Sequence, residues 1–270
     1  MTTTFITMWT ENFSWKAALQ LLPRDDQIAA KFPQASLRLS GNMPELSVIL
    51  ELLKPHGLLL RGVLDAARIK QAPVIDNETD TRQLVLVGNA GSSIWSSFSS
   101  SPEYKDAAPH PLDRWSKRIG ENIARQLEGR AIFPWEGPPY APFLAWARKA
   151  DQVFPSPVSM FVHGEYGLWH AYRFALALPR HYGGNVKTDD GDSPCLQCSD
   201  QPCLDTCPVA AFSANNYDVN QCFDYLASDA ESDCRQLGCA ARRACPVGRA
   251  FIYQPVHARF HMDAYVKSRF

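Results

Sequence analysis

The sequence predicts a mixed α/β (α+β) domain followed by a small cysteine-rich module. Three observations carry this. Short apolar runs of strand length are interspersed with segments of helical period through the first 178 residues. All eight cysteines fall between residues 195 and 245, and the first 194 residues contain none. Between the two regions lies a polar stretch, residues 179–193, with Gly183, Gly184 and an acidic patch at Asp189, Asp190 and Asp192. The boundary is therefore placed near residue 190. This gives a domain over 1–190, a module over 191–250, and a tail over 251–270 expected to pack on the module.

The bulk composition narrows the function classes. The chain has 270 residues, 46% hydrophobic and 20% charged, which is a globular composition able to bury a core. The 27 basic and 28 acidic side chains nearly cancel, so charge gives no case for nucleic acid or an anionic membrane as partner. No apolar run approaches the ~18 residues of a membrane span. The first residues lack a cationic head followed by an apolar stretch, so no secretory signal is expected and a cytoplasmic location is. In that compartment thiols are ligands more often than disulfides.

In chain order, residues 13–32 have helical spacing, although Pro23 should break it. A helix is expected from Pro44 to Leu53, with proline at its first turn. Residues 57–64 read as a buried strand that carries one charge, Arg61. Residues 65–82 are polar and irregular. Residues 83–88 are the clearest strand, and a Gly91 turn leads from it to a helix start near Trp95. That turn reads as structural before it reads as an anion site. An amphipathic helix begins after His110, with Leu112, Trp115, Ile119, Ile123 and Leu127 on one face and Gly129 at its end. A strand at 131–133 and a proline-rich loop at 134–142 precede a helix whose inner side is expected to carry Phe143, Leu144, Ala147 and Ala150. Residues 159–163 read as a strand and 164–167 as a turn. Residues 168–178 are strand or helix; alternation does not decide.

The cysteines read Cys195-x2-Cys198-x4-Cys203-x3-Cys207-Pro208, then Cys222, then Cys234-x4-Cys239-x5-Cys245-Pro246. Closely spaced thiolates select zinc or iron–sulfur clusters. Zinc sites usually take two Cys-x2–4-Cys knuckles, and only the first pair, Cys195 and Cys198, is an ideal one. Eight thiols are the set needed for two 4Fe-4S clusters, and the Cys-x3-Cys-Pro ending marks bacterial-type ferredoxin modules, in which the fourth cysteine of a run ligates the other cluster. Applied here, Cys195, Cys198, Cys203 and Cys245 hold one cluster, and Cys207, Cys222, Cys234 and Cys239 the other. Zinc and disulfides are the alternatives. Arg242 and Arg243, between two of the thiols, either offset cluster charge, dock an electron donor, or form a solvated face.

The run from Cys195 to Pro246, with its lone Cys222-Phe-Asp-Tyr-Leu226, resembles the cluster module of epoxyqueuosine reductases and of reductive dehalogenases. Upstream, His163-Gly-Glu-Tyr166-Gly167-Leu-Trp169-His-Ala171-Tyr-Arg173 resembles a segment of the B12-processing decyanase/dealkylase proteins. Gly164 stands where that family has proline, and Leu168 where it has a second glycine. The two resemblances imply a nitroreductase-like, corrinoid-binding N-terminal domain joined to a ferredoxin-like double-cluster module. They imply His163, Tyr166, Gly167, Trp169 and Arg173 as cofactor-binding residues, with Glu165 and His170 as candidates for catalysis. A corrin pocket would draw its lining from Trp95, Trp135, Tyr140, Tyr166 or Trp169; the other reading of each is ordinary core. His257 and His261 flank the last thiol group and are either structural or ligand contacts.

The functional expectation is an oxidoreductase. Electrons pass from a ferredoxin or flavodoxin through two clusters to cobalamin, or else to flavin, in the N-terminal domain, where a corrinoid or small molecule is reduced. The alternative is an electron carrier whose N-terminal domain only docks a partner.

Overall fold

A computed structural model describes residues 44–184, 191–213 and 216–268. The helical pattern at 13–32, and Asp189 and Asp190 of the acidic patch, lie outside these residues. In order come α1 (Pro44–Leu53), β1 (Leu59–Asp65), β2 (Gln83–Ala90), α2 (Trp95–Ser99), α3 (Pro102–Lys105), α4 (Pro111–Gln126), β3 (Arg130–Ile132), α5 (Phe143–Ala150), β4 (Val153–Pro155), β5 (Phe161–His163) and β6 (His170–Leu178). The cysteine region follows with α6 (Pro202–Asp205), β7 (Phe212–Ser213), β8 (Asn216–Tyr217), α7 (Val219–Ser228), α8 (Asp233–Leu237), α9 (Ala240–Ala244) and α10 (Pro255–Lys267).

Four strands form one sheet in the order β1-β2-β6-β3. Every pairing in it is antiparallel, so the architecture is α+β, without βαβ crossovers. Residues 168–178 resolve as strand because β6 pairs with β2 along its whole length, from Ala90↔His170 to Gln83↔Leu178. Periodicity could not decide this, because both faces of β6 are buried and both are apolar. Phe174, Leu176 and Leu178 face one layer with Val85 and Val87. Ala175 and Ala177 face the other with Leu84 and Leu86.

Each face has its own helix. Leu112, Trp115, Ile119, Ile123 and Leu127 put the predicted face of α4 on the Val85–Phe174 side, joined by Leu46, Ile49 and Leu53 of α1. Burial of each such side chain contributes about 1.5–3 kcal/mol. The end of α4 differs from expectation by one residue. Glu128 takes the left-handed conformation (φ 55°), and the Gly129 amide closes the turn on the Ala124 carbonyl at 2.8 Å. Glycine is needed at 129 for another reason: a Cβ there would stand 2.4 Å from the Ala177 carbonyl oxygen. On the opposite face, α5 buries Phe143, Trp146, Ala147 and Ala150. Leu144, expected on the inner side, is 40% exposed. A step of three from Phe143 reaches Trp146, and Leu144 points off that stripe.

The tail was expected to pack on the cysteine module. α10 packs on it and on the domain as well. Met262, Tyr265 and Val266 pack with Leu226 and Cys234 of the module. Phe260 packs on Phe98, Trp95 and Tyr104 of the domain. No described helix is long and apolar enough to cross a membrane.

Candidate functional site

All eight cysteines are free thiols. Cys207, Cys222, Cys234 and Cys239 line one pocket, closed by Phe212, Leu226, Ala241 and Met262. Short elements bring them there: the Cys207-Pro208 turn, the first turn of α7, α8, and the residue that opens α9. Cys195, Cys198, Cys203 and Cys245 lie within electrostatic reach of one another as a second group. Ala241 belongs to the apolar cluster around Cys203 and Cys245 and also lines the pocket of the other four, so the two groups are neighbours.

Hydrogen-bond donors surround the pocket sulfurs. The Ala211 amide donates to Cys207 Sγ at 3.3 Å, and the Ala240 amide to Cys234 Sγ at 3.4 Å. Backbone donors at Arg242 and Ala241 serve Cys239. Burial pushes the Cys239 thiol up to about 12 and raises Cys234 as well. These groups are therefore neutral thiols until a cationic centre draws off their protons. Soft sulfurs with amide donors on them suit an iron–sulfur cluster. No three His, Cys, Asp or Glu among the described residues are placed to share one metal ion.

The predicted cofactor segment forms a hairpin whose side chains enter a buried polar network. Arg61 of β1 is its centre. Arg61 Nη2 contacts Asp151 Oδ2 at 2.7 Å, and Tyr172 Oη donates to the same oxygen at 2.6 Å. His163 Nδ1 accepts from the Glu165 and Tyr166 amides at 2.9 and 3.1 Å. Its proton is therefore on Nε2, which faces Asp151 Oδ1 at 3.2 Å. His170 Nε2 donates to the Phe161 carbonyl at 3.1 Å, leaving Nδ1 to accept from Arg61 at 3.3 Å. Burial pushes His170 well below its ordinary value, helped by the Arg61 charge. Burial alone would raise the Asp151 carboxyl, but Arg61 and His163 hold it well below the usual carboxylate range. Tyr166 stacks on His163 at 4.2 Å and covers the Arg61 guanidinium at 4.9 Å.

A second network joins the hairpin to the cysteine region. The Arg242 guanidinium lies over the rings of both Trp169 (4.3 Å) and Tyr253 (4.6 Å), which meet edge to face, and its Nε donates to the Leu168 carbonyl at 2.8 Å. Tyr253 stacks on His257 at 4.1 Å, and His257 stacks on Trp95 at 4.9 Å. Ser92 Oγ accepts from the Gln254 amide at 2.8 Å and meets His257 Nδ1 at 3.0 Å. His257 Nε2 and His261 Nε2 stand 3.0 Å apart. Burial depresses both imidazoles, and Arg173 and Arg242 add to it. The Gly91–Ser92 turn thus docks the C-terminal segment and is structural. Gly167 and Gly248, both at positive φ, bring two turns into contact; a Cβ on Gly167 would stand 2.0 Å from the Val247 oxygen. At Gly167 the close neighbour is the chain itself.

The predicted residues therefore separate. His163, Tyr166 and His170 belong to the Arg61 network. Gly167 and Trp169 belong to the junction, where Trp169 Nε1 is buried without a hydrogen-bond partner among the described residues. Arg173 is half-buried, and its Nε donates to the Tyr172 carbonyl at 3.3 Å. Glu165 and Tyr140 are exposed. Trp135 stacks on Phe133 and Trp95 lies on Phe98, so the five aromatics do not converge on one surface. Arg243 pairs with Asp233 at 2.7 Å, so neither arginine of α9 forms a bare solvated face. Sequence reasoning missed Asp151, Tyr172, Ser92 and Tyr253. Arg61 carried a signal, as the one charge in an apolar strand.

No protein-family model matches the chain, and no curated protein matches it in sequence. Solved structures align with it at low similarity. The Caenorhabditis elegans B12-trafficking protein CblC aligns over 84% of this chain and 97% of its own, at 10% identity and a TM-score of 0.47. Epoxyqueuosine reductase bound to a modified tRNA-Tyr stem loop aligns over 82% of this chain and 70% of its own, at 14% identity and a TM-score of 0.40. The Bacillus subtilis epoxyqueuosine reductase aligns over 82% and 64%, at 14% identity and a TM-score of 0.37. Likenesses this distant assign no residue a role.

Proposed function

We propose that this is an iron–sulfur redox protein that binds two 4Fe-4S clusters and delivers electrons to a cofactor in the N-terminal domain. The observation that carries the reading is the pocket lined by Cys207, Cys222, Cys234 and Cys239, with donors on its sulfurs and the other four thiols beside it. When bound, such clusters supply one-electron chemistry at low potential. In this reading the chain's work is positional. The eight thiols fix two centres side by side. Ala241, small and buried, keeps the separation between them short. Arg242 ties the same helix to the domain through Trp169.

The acceptor is proposed to be a corrinoid, with flavin as second choice, on the sequence resemblance of residues 163–173. The donor is then a ferredoxin or flavodoxin, and the protein is an oxidoreductase acting on a corrinoid or small molecule. One observation favours the simpler reading of an electron carrier: His163, Tyr166, Gly167 and Trp169 are all engaged by the chain's own groups.

One preparation tests both. The protein is purified without oxygen, analysed for iron and sulfide, reduced with dithionite and mixed with hydroxocobalamin. About eight irons per chain and a changed cobalt spectrum are expected. Iron without any cobalt change supports the carrier. A colourless protein holding only zinc removes the iron–sulfur reading.

A further inference from the structure

Three of the four pocket thiols take hydrogen bonds from backbone amides, at Ala211, at Ala240, and at Arg242 and Ala241. Cys222 differs, because its hydrogen-bond partner is a side chain. Cys222 sits in the first turn of α7, where its own amide is used by the Asp218 carbonyl at 3.2 Å. The Tyr217 hydroxyl hydrogen-bonds the Cys222 side chain. Tyr217 is held for this contact. It pairs with Phe212 across β7 and β8, and the two rings stack at 4.6 Å and 13°. Phe212 itself lines the cysteine pocket.

The hydrogens can be counted. Tyr265 Oη has one, which it donates to the Val219 carbonyl at 3.2 Å. Tyr217 Oη lies 3.4 Å from Tyr265 Oη and also has one. A Cys222 thiol can supply the bond to Tyr217 itself. A Cys222 thiolate cannot, so a hydrogen bond between the two is then donated by the tyrosine, with Tyr265 Oη as the competing acceptor for its one hydrogen.

We infer that Tyr217 sets the electron affinity of the centre held by Cys207, Cys222, Cys234 and Cys239, by donating a hydrogen bond to the Cys222 thiolate. This rests on the four-iron reading above. One added electron makes the cluster more negative by one unit, with no bond broken and no proton moved. A donor on a ligating sulfur is therefore stronger in the reduced state and raises the potential. The Ser193 hydroxyl near Cys195 has no part in this centre. The effect is confined to one of the two clusters.

The test is an anaerobic redox titration with dithionite, followed by electron paramagnetic resonance, of the wild type and of Tyr217→Phe. Iron content and thermal midpoint are measured alongside. One of the two midpoint potentials is expected to move to a more negative value while the other stays. Replacing Tyr217 with 3,5-difluorotyrosine keeps the ring and sharpens the donor, so the same potential is expected to move in the positive direction. This second variant decides the matter if Tyr217→Phe does not hold iron. Full iron with both potentials unchanged in either variant overturns the inference and leaves the four-iron reading standing. A wild type that takes up no iron overturns both.

Discussion

Arg61 shows how one residue organises the interior of the domain. A guanidinium 3% exposed inside a strand is tolerated only because Asp151, His170 and the Asn89 carbonyl meet it. Removing one partner strands the other charge. Arg61→Met is expected to lower unfolding stability by about 3–5 kcal/mol, with Arg61→Met/Asp151→Leu less damaging than the single change. Urea unfolding of the three proteins measures it, and a single mutant no worse than the double would refute the assignment. This residue was half legible beforehand. A charge within an apolar strand asks for a partner, but Asp151 lies 90 positions away and ends a helix with no pattern of its own. The same network explains why His163 and Tyr166 looked like ligand residues. A histidine beside a turn is held as readily by backbone amides and a buried carboxylate as by a cofactor, and sequence does not separate the two.

At the scale of elements, legibility followed burial. The stripe of α4 was readable because it meets one apolar layer. β2 and β6 are both covered on two sides, and of the two only β2 was readable, from a short Leu-Val-Leu-Val run closed by Gly88. The short elements of the cysteine region have no period to read, since their geometry is set by thiols converging from 195 to 245. The junction was invisible because it depends on two turns touching. Gly248 (φ 72°) packs on the Tyr166–Gly167 peptide, where an added Cβ would stand 2.3 Å from the Tyr166 carbonyl carbon. Gly248→Ala therefore combines left-handed strain with overpacking, for an expected loss of about 2–4 kcal/mol. The damage should begin at the junction, as faster amide exchange in residues 166–170 and 247–253 than in α4. Uniform exchange across both regions would mean that the turns do not hold the two parts together.

The whole molecule is less divisible than its sequence. The division at residue 190 follows the cysteines, but the core does not stop there. α10 completes the module with Met262 and Tyr265 and reaches the domain through Phe260 and His257. Both parts place apolar surface against that helix. Unfolding is therefore expected as one transition for the described region, with acid as the sharpest probe. Three imidazoles are held neutral: half-buried His170 in the Arg61 network, and buried His257 with half-buried His261 on α10. Their neighbours set the sign. Arg61 faces His170, while Arg173 and Arg242 face the pair on α10, so protonation in the folded state is opposed by burial and by positive charge. The unfolded chain takes up these protons near its ordinary histidine value of 6.5 and the folded chain does not. Stability is then full above that value and falls as pH drops below it, by about 1–2 kcal/mol per histidine at pH 5. Asp151, held low, adds a loss in the same direction at lower pH, where the unfolded carboxyl protonates first. Because the histidines lie on both sides of the junction, acid weakens domain and module together. Calorimetry between pH 7.5 and 5 should show one endotherm moving down in temperature. Two endotherms, with only one of them sensitive to pH, would mean that α10 belongs to the module alone.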